Sequence, residues 1–282
     1  FTFPELFTLR IAISASQDGK KMYLGAYENH QLGVYDIESG EVVDLIYTHS
    51  GQVESVLEYD GYVYVGNYSS ATLTQVDLET KTARPLFELN NTAFFQNRAQ
   101  ELTAGDGKVF LATTAGKARH GGCLTWYDMA KDRVYVAAGP NAEDVYYTSA
   151  VLQSPYTWYN AATNEVADFD DNNDGKEDNM ITVDGKSVQR FKGVIENQTI
   201  NCMVYKDGYI YASSSKHGGS GSSLEDYDDC AVIFVYDVEA MEVVATYEVC
   251  KTIEGLTEPV EFVEGITEDP EVDGKFWGVV SD

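Results

Sequence analysis

The chain has 282 residues and a formal net charge of −27, with 46 acidic against 19 basic residues. Such a surface repels a polyanion and no Lys/Arg cluster offers local relief, which excludes nucleic acid as a partner and argues against anionic membrane surfaces. No apolar run reaches the ~18 residues of a membrane-spanning helix, whereas 20 Tyr, 24 Gly and only 6 Pro suit many short strands joined by tight turns.

From the N-terminus, the first predicted element is a strand over Thr2 to Leu9. An Asp-Gly turn follows at Asp18-Gly19, then the strand Met22-Tyr23-Leu24-Gly25. The same grammar returns at Asp60-Gly61 before Val63-Tyr64-Val65-Gly66, and at Asp106-Gly107 before Val109-Phe110-Leu111. It returns again at Asp207-Gly208 before Ile210-Tyr211-Ala212, and at Asp273-Gly274 before Phe276-Trp277-Gly278. Asp-Gly between two such runs predicts a two-residue hairpin, because Gly accepts the positive φ of a type I′ turn. A third strand closes on an Asp at Tyr35-Asp36, Val76-Asp77, Tyr127-Asp128 and Tyr236-Asp237, and a polar turn leads into a fourth strand from Val42, Ala83, Val134 or Val243.

One unit is therefore four antiparallel strands, and the first two repeats are spaced by 42 and 46 residues. That spacing predicts an all-β chain, a β-propeller of four-stranded blades. About five to six blades fit within 1–282, read as a single domain, and the chain stops after the second strand of its last unit, so the propeller is expected to be incomplete. Residues 138–198 break the rhythm. Either they form one long insertion or they hold a degenerate blade, because Trp158-Tyr159-Asn160 with Ala162 and Val166 copies Trp126-Tyr127-Asp128 with Ala130 and Val134.

The motifs Asp18-Gly19-Lys20-Lys21-Met22-Tyr23-Leu24-Gly25, Gly33-Val34-Tyr35-Asp36 and Gly121-Gly122-Cys123-Leu124-Thr125-Trp126-Tyr127-Asp128 resemble the YVTN and WD40-like propeller repeats of bacterial secreted proteins. The resemblance covers nearly the whole chain outside 138–198 and 214–229. It implies an extracellular or cell-surface module of a longer multidomain chain. Members of such families include binding scaffolds, lactonases and polysaccharide lyases.

In an up-and-down meander, the tight turns lie at one end of a blade and the longer connections at the other. The long segments Ala26 to Gln31, Gly116 to Gly122 and Ser214 to Asp229 therefore share a face with the 138–198 excess. Loops on a rigid scaffold are where binding residues sit. The expected ligand-binding residues on this face are His30, Tyr68, Arg119, His120, Lys216 and His217, for a glycan or protein ligand. An aromatic platform of Tyr27, Tyr68, Tyr156 and Trp158 would favour a glycan. The competing reading is an enzyme acting on a polysaccharide or lactone, with His30, His120 and His217 around a metal. Catalytic residues are not assigned: there is no Gly-x-Ser-x-Gly elbow, and carboxylates are too plentiful for one pair to stand out. Gly218-Gly219-Ser220-Gly221-Ser222-Ser223 lacks the Lys-Ser/Thr ending of a phosphate-binding loop.

Asp170-Asp171-Asn172-Asn173-Asp174-Gly175-Lys176-Glu177-Asp178 fits D-x-[DN]-x-D-G-x-x-D. Oxygens of Asp170, Asn172, Asp174 and Asp178, with the Lys176 carbonyl, are expected to surround a structural calcium ion. The loop resembles those of dockerins, thrombospondin type 3 repeats and integrin-type propellers. It departs from the full EF-hand at the twelfth position, Ile181. The four cysteines form no CxxC pair, and a bridge between Cys123 and Cys230 is one option their placement allows.

Overall fold

The computed structural model describes residues 10–26, 30–49, 51–139, 144–148, 156–215, 231–249 and 262–281. The elements are strands, β1 to β23, and every pairing is antiparallel between neighbours in sequence. The first sheet is β1 (Arg10–Ala15), β2 (Lys21–Ala26), β3 (Gln31–Asp36) and β4 (Glu41–Tyr47). The second is β5 (Gln52–Tyr59), β6 (Tyr62–Tyr68), β7 (Thr72–Asp77) and β8 (Thr82–Phe87). The third starts the same way, with β9 (Gln96–Gly105), β10 (Lys108–Ala115), β11 (Leu124–Asp128) and β12 (Arg133–Ala137). It then continues through β13 (Val145–Tyr147), β14 (Trp158–Asn160) and β15 (Val166–Ala167). A separate hairpin, β16 (Met180–Val183) with β17 (Lys186–Gln189), precedes the fourth sheet of β18 (Thr199–Lys206), β19 (Tyr209–Ser215), β20 (Val232–Asp237) and β21 (Glu242–Glu248). β22 (Phe262–Glu268) and β23 (Phe276–Ser281) form the last hairpin. The strand expected over Thr2 to Leu9 lies outside the described residues. Among the described residues, no helix is long and apolar enough to cross a membrane.

The turn chemistry explains this layout. Asp60-Gly61, Asp106-Gly107 and Asp207-Gly208 are two-residue loops with both residues left-handed, as type I′ requires. Asp184-Gly185 makes the same turn between β16 and β17, a repeat of the motif that the sequence reading passed over. Asp18-Gly19 and Asp273-Gly274 differ from the expectation. Only their glycines are left-handed, and the hairpins close over wider loops, Ala15 facing Met22 and Glu268 facing Phe276. At Asp18 the reason is a local hydrogen-bond set: its Oδ1 accepts from Ser16 Oγ at 2.7 Å and from Lys20 N at 2.9 Å, which holds a longer turn.

The polar turns carry an equally regular device. Asp77 Oδ1 accepts from Glu79 N at 2.8 Å and Thr80 N at 3.0 Å, and Asp237 Oδ1 accepts from Glu239 N at 3.0 Å and Ala240 N at 2.9 Å. Asp36 and Asp128 cap their turns alike, onto Ser39 N and Lys131 N. Asn160 Oδ1 takes Ala162 N and Thr163 N, both at 2.9 Å, so the copied segment 158–166 folds as the same turn. Its strands add to the edge of the third sheet.

The core lies in seams between successive sheets. Tyr23, Leu32 and Val34 meet Val53, Val63 and Val76 in the first seam. Tyr64, Leu73 and Phe87 meet Val109, Leu111 and Tyr127 in the second. Phe110 and Trp126 meet Ile210, Phe234 and Tyr236 in the third. The leading strands pack each on the next, β1 on β5, β5 on β9, β9 on β18 and β18 on β22.

Each leading hairpin carries a β-bulge at the same place, where residue 11, 54, 100, 201 or 264 is the extra one. Beside it stands a pair in which at least one residue is small, such as Ala12 opposite Gly25, Ser55 opposite Gly66 and Cys202 opposite Ser213. The small residues let the next sheet approach. A Cβ on Gly25 would sit 2.6 Å from both Cγ1 and the carbonyl oxygen of Val53. Gly25→Ala is therefore expected to destabilise the protein by about 1–3 kcal/mol through overpacking. The check is a lower urea midpoint with an unchanged slope.

Candidate functional site

Three connections meet at one end of the second and third sheets. They are the β8–β9 segment 88–95, the β10–β11 segment 116–123, and the segment 168–179 that leads into β16. Glu177 ties the first to the third. Its Oε2 accepts from Ala93 N and its Oε1 from Trp158 Nε1, both at 2.8 Å. Beneath it, Phe94 stacks on Phe191 at 4.7 Å and meets Trp158 and Phe169 edge-on at 5.2 and 5.9 Å. Burial holds the Glu177 carboxyl above its usual range, and the two N–H donors offset part of that desolvation. Glu177 is thus an anchor of the acidic loop and was not among the residues expected to matter.

Between the anchored segments lies a cleft of about 490 Å³, lined by Asn90, Asn91, Thr92 and Phe95 from the first segment and by Gly175, Lys176, Glu177 and Asn179 from the third. Arg119 closes one end: its Nε donates to Asn179 Oδ1 at 3.0 Å, and its guanidinium carbon lies 5.4 Å from the Phe95 ring centre. Phe95 has φ 49°, a left-handed backbone that a bulky side chain rarely adopts. Two hydrogen bonds impose it, Phe95 N donating to Thr92 O at 3.1 Å and Gly116 N donating to Phe95 O at 2.8 Å. Gly116 is needed there, since a Cβ would come within 2.6 Å of the Phe95 ring. The ring is half-buried at the wall of the cleft.

The expected binding residues divide. Arg119 and His120 lie together beside the cleft. His120 exchanges hydrogen bonds with the Gln189 side chain, its N donating at 3.0 Å and its O accepting at 2.6 Å. Its buried Nδ1 has no hydrogen-bond partner, and burial together with the Arg119 charge lowers the imidazole's pKa, which favours the neutral ring. His30 belongs to the first sheet, where its carbonyl takes Thr48 N at 2.9 Å and its ring lies 6.3 Å from Tyr47. Tyr68 lies under the Arg98 guanidinium at 4.5 Å. Neither contact set reaches the Arg119–His120 segment. Lys216 and His217 lie outside the described residues, as does Tyr27.

One expectation is corrected. Trp158 is 1% exposed and belongs to the core, so it offers no platform, and the Tyr156 hydroxyl is taken up by Glu88 N at 3.1 Å. The physical reason is Glu177, which draws the Trp158 indole N–H inward. Cys123 is a buried free thiol, pushed well above its usual range by burial, and the bridge to Cys230 lies outside the described residues.

The acidic loop is curled on itself. Asp170 accepts from Asp174 N at 3.0 Å and Gly175 N at 2.8 Å, and Asn172 Oδ1 accepts from Asp174 N at 2.9 Å. Asp174 accepts from Lys176 N at 3.0 Å, and Asp178 from Asp171 N at 3.0 Å. Arg190 bridges the loop, donating to Asp171 Oδ2 at 2.5 Å and to the Asp178 carbonyl at 2.8 Å. In this conformation, among the described residues, no three His, Cys, Asp or Glu side chains are grouped to hold a metal ion.

A further titratable group lies on the leading strand of the third sheet. Glu101 occupies the position beside the bulge, opposite Ala112, and burial pushes its carboxyl up to about 7.

No family model matches the sequence, and no curated protein matches it. Among solved structures, hydrazine synthase of Kuenenia stuttgartiensis is similar at 11% identity and a TM-score of 0.45, over 96% of this chain and 73% of that one. A chain of the mitotic checkpoint complex is similar at 10% identity and a TM-score of 0.47, over 93% of this chain and 54% of that one. The computationally designed Ika8 protein is similar at 13% identity and a TM-score of 0.43, over 92% and 65%. At this level the likenesses bear on neither family nor function.

Glu101 gives a pH test. Its folded-state carboxyl keeps a proton that the unfolded chain releases near 4.5, so stability is lost as pH rises from about 4.5 to about 7. Glu101→Gln is expected to remove roughly 2–3 kcal/mol of that loss, at about 1.4 kcal/mol per pH unit. Urea unfolding of parent and variant across this pH range reads the difference.

Proposed function

We propose that the chain is a non-catalytic recognition module, built as a β-propeller, that binds a glycan in the cleft beside Phe95 and Arg119. The propeller reading is supported by the leading strands packing each on the next and by the bulge that recurs in every leading hairpin. The observation that carries the binding reading is the set of groups facing the cleft. Three asparagine amides both donate and accept hydrogen bonds, as sugar hydroxyls do, beside one aromatic face held by a strained backbone. Arg119 and Lys176 add positive charge in a strongly acidic chain, which suits a glycan bearing carboxylates or sulfates. In this reading the module belongs to a larger secreted or cell-surface protein of a bacterium.

Calcium enters the same reading as a structural ligand of the acidic loop. Asp170, Asn172, Asp174 and Asp178 would turn their oxygens from backbone N–H groups to the ion, and the Lys176 carbonyl would complete the set. Because Glu177 and Lys176 also line the cleft, an ion there would stiffen one of its walls.

A glycan array probed with the labelled protein is expected to give binding that Phe95→Ala weakens about tenfold or more, the scale of a lost aromatic contact, and that Arg119→Ala weakens most for acidic glycans. Binding equal in parent and both variants, or binding only to protein ligands, removes the glycan reading. For calcium, the melting temperature is expected to rise on adding the ion and fall with chelator in the parent, with no response in Asp174→Ala. An identical melting curve with ion and chelator in the parent removes the metal.

A further inference from the structure

A second cavity, sharing no lining residue with the cleft, opens in the seam between the third and fourth sheets where β12 leads into β13. It measures about 320 Å³. Its polar groups are Asp144, Tyr236 and Glu242, and Ala137, Val194 and Val243 supply apolar wall. None of its lining residues is basic.

One of the polar groups is buried and another half-buried, each short of partners. Tyr236 is 2% exposed, and among the described residues its hydroxyl has no hydrogen-bond partner. Leaving such a group unpaired is unfavourable, so buried hydroxyls in folded proteins are normally satisfied. Asp144 has one backbone donor, Ala138 N, at 3.3 Å. Burial pushes its carboxyl up to about 7, no basic side chain acts to lower it, and its charge helps push the Tyr236 phenol upward. The phenol and the carboxyl are therefore neighbours in one apolar-walled space, both short of a partner. Glu242 stands exposed at the rim and adds a second negative charge.

The chemistry selects the occupant. An anion would meet two carboxylates. One water fills only about 30 Å³ of such a space. A neutral alcohol could bond the phenol but would leave the carboxylate uncompensated. An ammonium brings three donors and a positive charge, enough for the Asp144 carboxylate and the Tyr236 oxygen together. We propose that this cavity binds a primary alkylammonium group, held by Asp144 and Tyr236 with its alkyl stem against Ala137, Val194 and Val243. The group could come from a free small amine or from a lysine side chain of another protein.

The test is calorimetric titration of the whole chain with n-butylamine at neutral pH, and with n-butanol as the uncharged probe of the same size. n-Butylamine is expected to bind the parent at least about tenfold more tightly than n-butanol, the scale of a charged hydrogen bond. Asp144→Asn, which keeps the acceptor for Ala138 N, is expected to abolish that preference. Tyr236→Phe is expected to weaken n-butylamine severalfold without lowering the melting temperature, because the hydroxyl it removes is unpaired. Nα-acetyl-lysine methylamide distinguishes the sources: binding comparable to n-butylamine assigns the site to protein lysines, and failure to bind beside firm n-butylamine binding assigns it to free amines. Equal affinity for n-butylamine and n-butanol, or n-butylamine binding that is unchanged in Asp144→Asn, overturns the proposal and leaves ordered water in the cavity. Should Asp144→Asn not fold, the amine-against-alcohol comparison on the parent together with Tyr236→Phe decides.

Discussion

The close approach of one sheet's leading hairpin to the next is the constraint on which the rest of the structure depends. A Cβ on Gly25 would meet the β5 residue Val53 at 2.6 Å, and one on Gly66 would meet Ser55 Oγ of its own sheet at 2.2 Å and Ala99 Cβ of the next at 2.7 Å. The adjacent bulges recur at the same level of each leading strand, where a bulge raises the local twist, and large side chains fill the seams between consecutive sheets. Because the seams are tight, the β6–β7 connection is brief and sits on the next sheet: Ala71 N donates to Asn97 O and Leu89 N to Ser70 O. Variation is left to the segments beyond the packed level, 88–95, 116–123 and 168–179, and those build the cleft.

Much of this architecture was legible in the sequence because its signals are local. Asp60-Gly61, Asp106-Gly107 and Asp207-Gly208 announce type I′ hairpins through the φ they demand, and Asp77 and Asp237 announce polar turns through the N–H groups they accept. The same rule reached Asn160, whose amide oxygen does the work of the aspartate. Asp184-Gly185 was equally readable. The bulges were not, because an extra residue in one strand shows only against its partner: Asn201 is unremarkable until Ile200 is seen facing Ser214 and Cys202 facing Ser213.

The cleft was half legible, for the same reason. Arg119 and His120 were placed by counting loops on one face, and that count needs only strand order; Lys176 entered only as a carbonyl ligand of the acidic loop. Phe95 was missed because its importance comes from a left-handed backbone held by Gly116 and Thr92, a contact between segments that no spacing rule encodes. Trp158 was misplaced for the opposite reason. Counted among the aromatics of the loop face, it reads as surface, but Glu177 supplies an acceptor inside, and a buried indole N–H with a partner is stable.

The distribution of acid within the chain makes the final distinction. With a net charge of −27, most carboxylates stay in water, and several that are partly withdrawn from it differ in how they are compensated. Glu54 pairs with Arg98 and accepts from Gln52 at 3.0 Å. Glu177 accepts from two N–H donors and feels the Arg190 charge. Glu101 is half-buried and, among the described residues, accepts from the backbone N–H of its own neighbour, Leu102, at 3.2 Å, and burial pushes its carboxyl up to about 7. Asp144 is as poorly compensated as Glu101, but it borders open volume and an unpaired phenol. A half-buried acid among packed side chains is answered by a proton; a half-buried acid beside empty, apolar-walled space can be answered by a cation from outside. That contrast, rather than the abundance of acidic residues, singles out the seam of the third and fourth sheets.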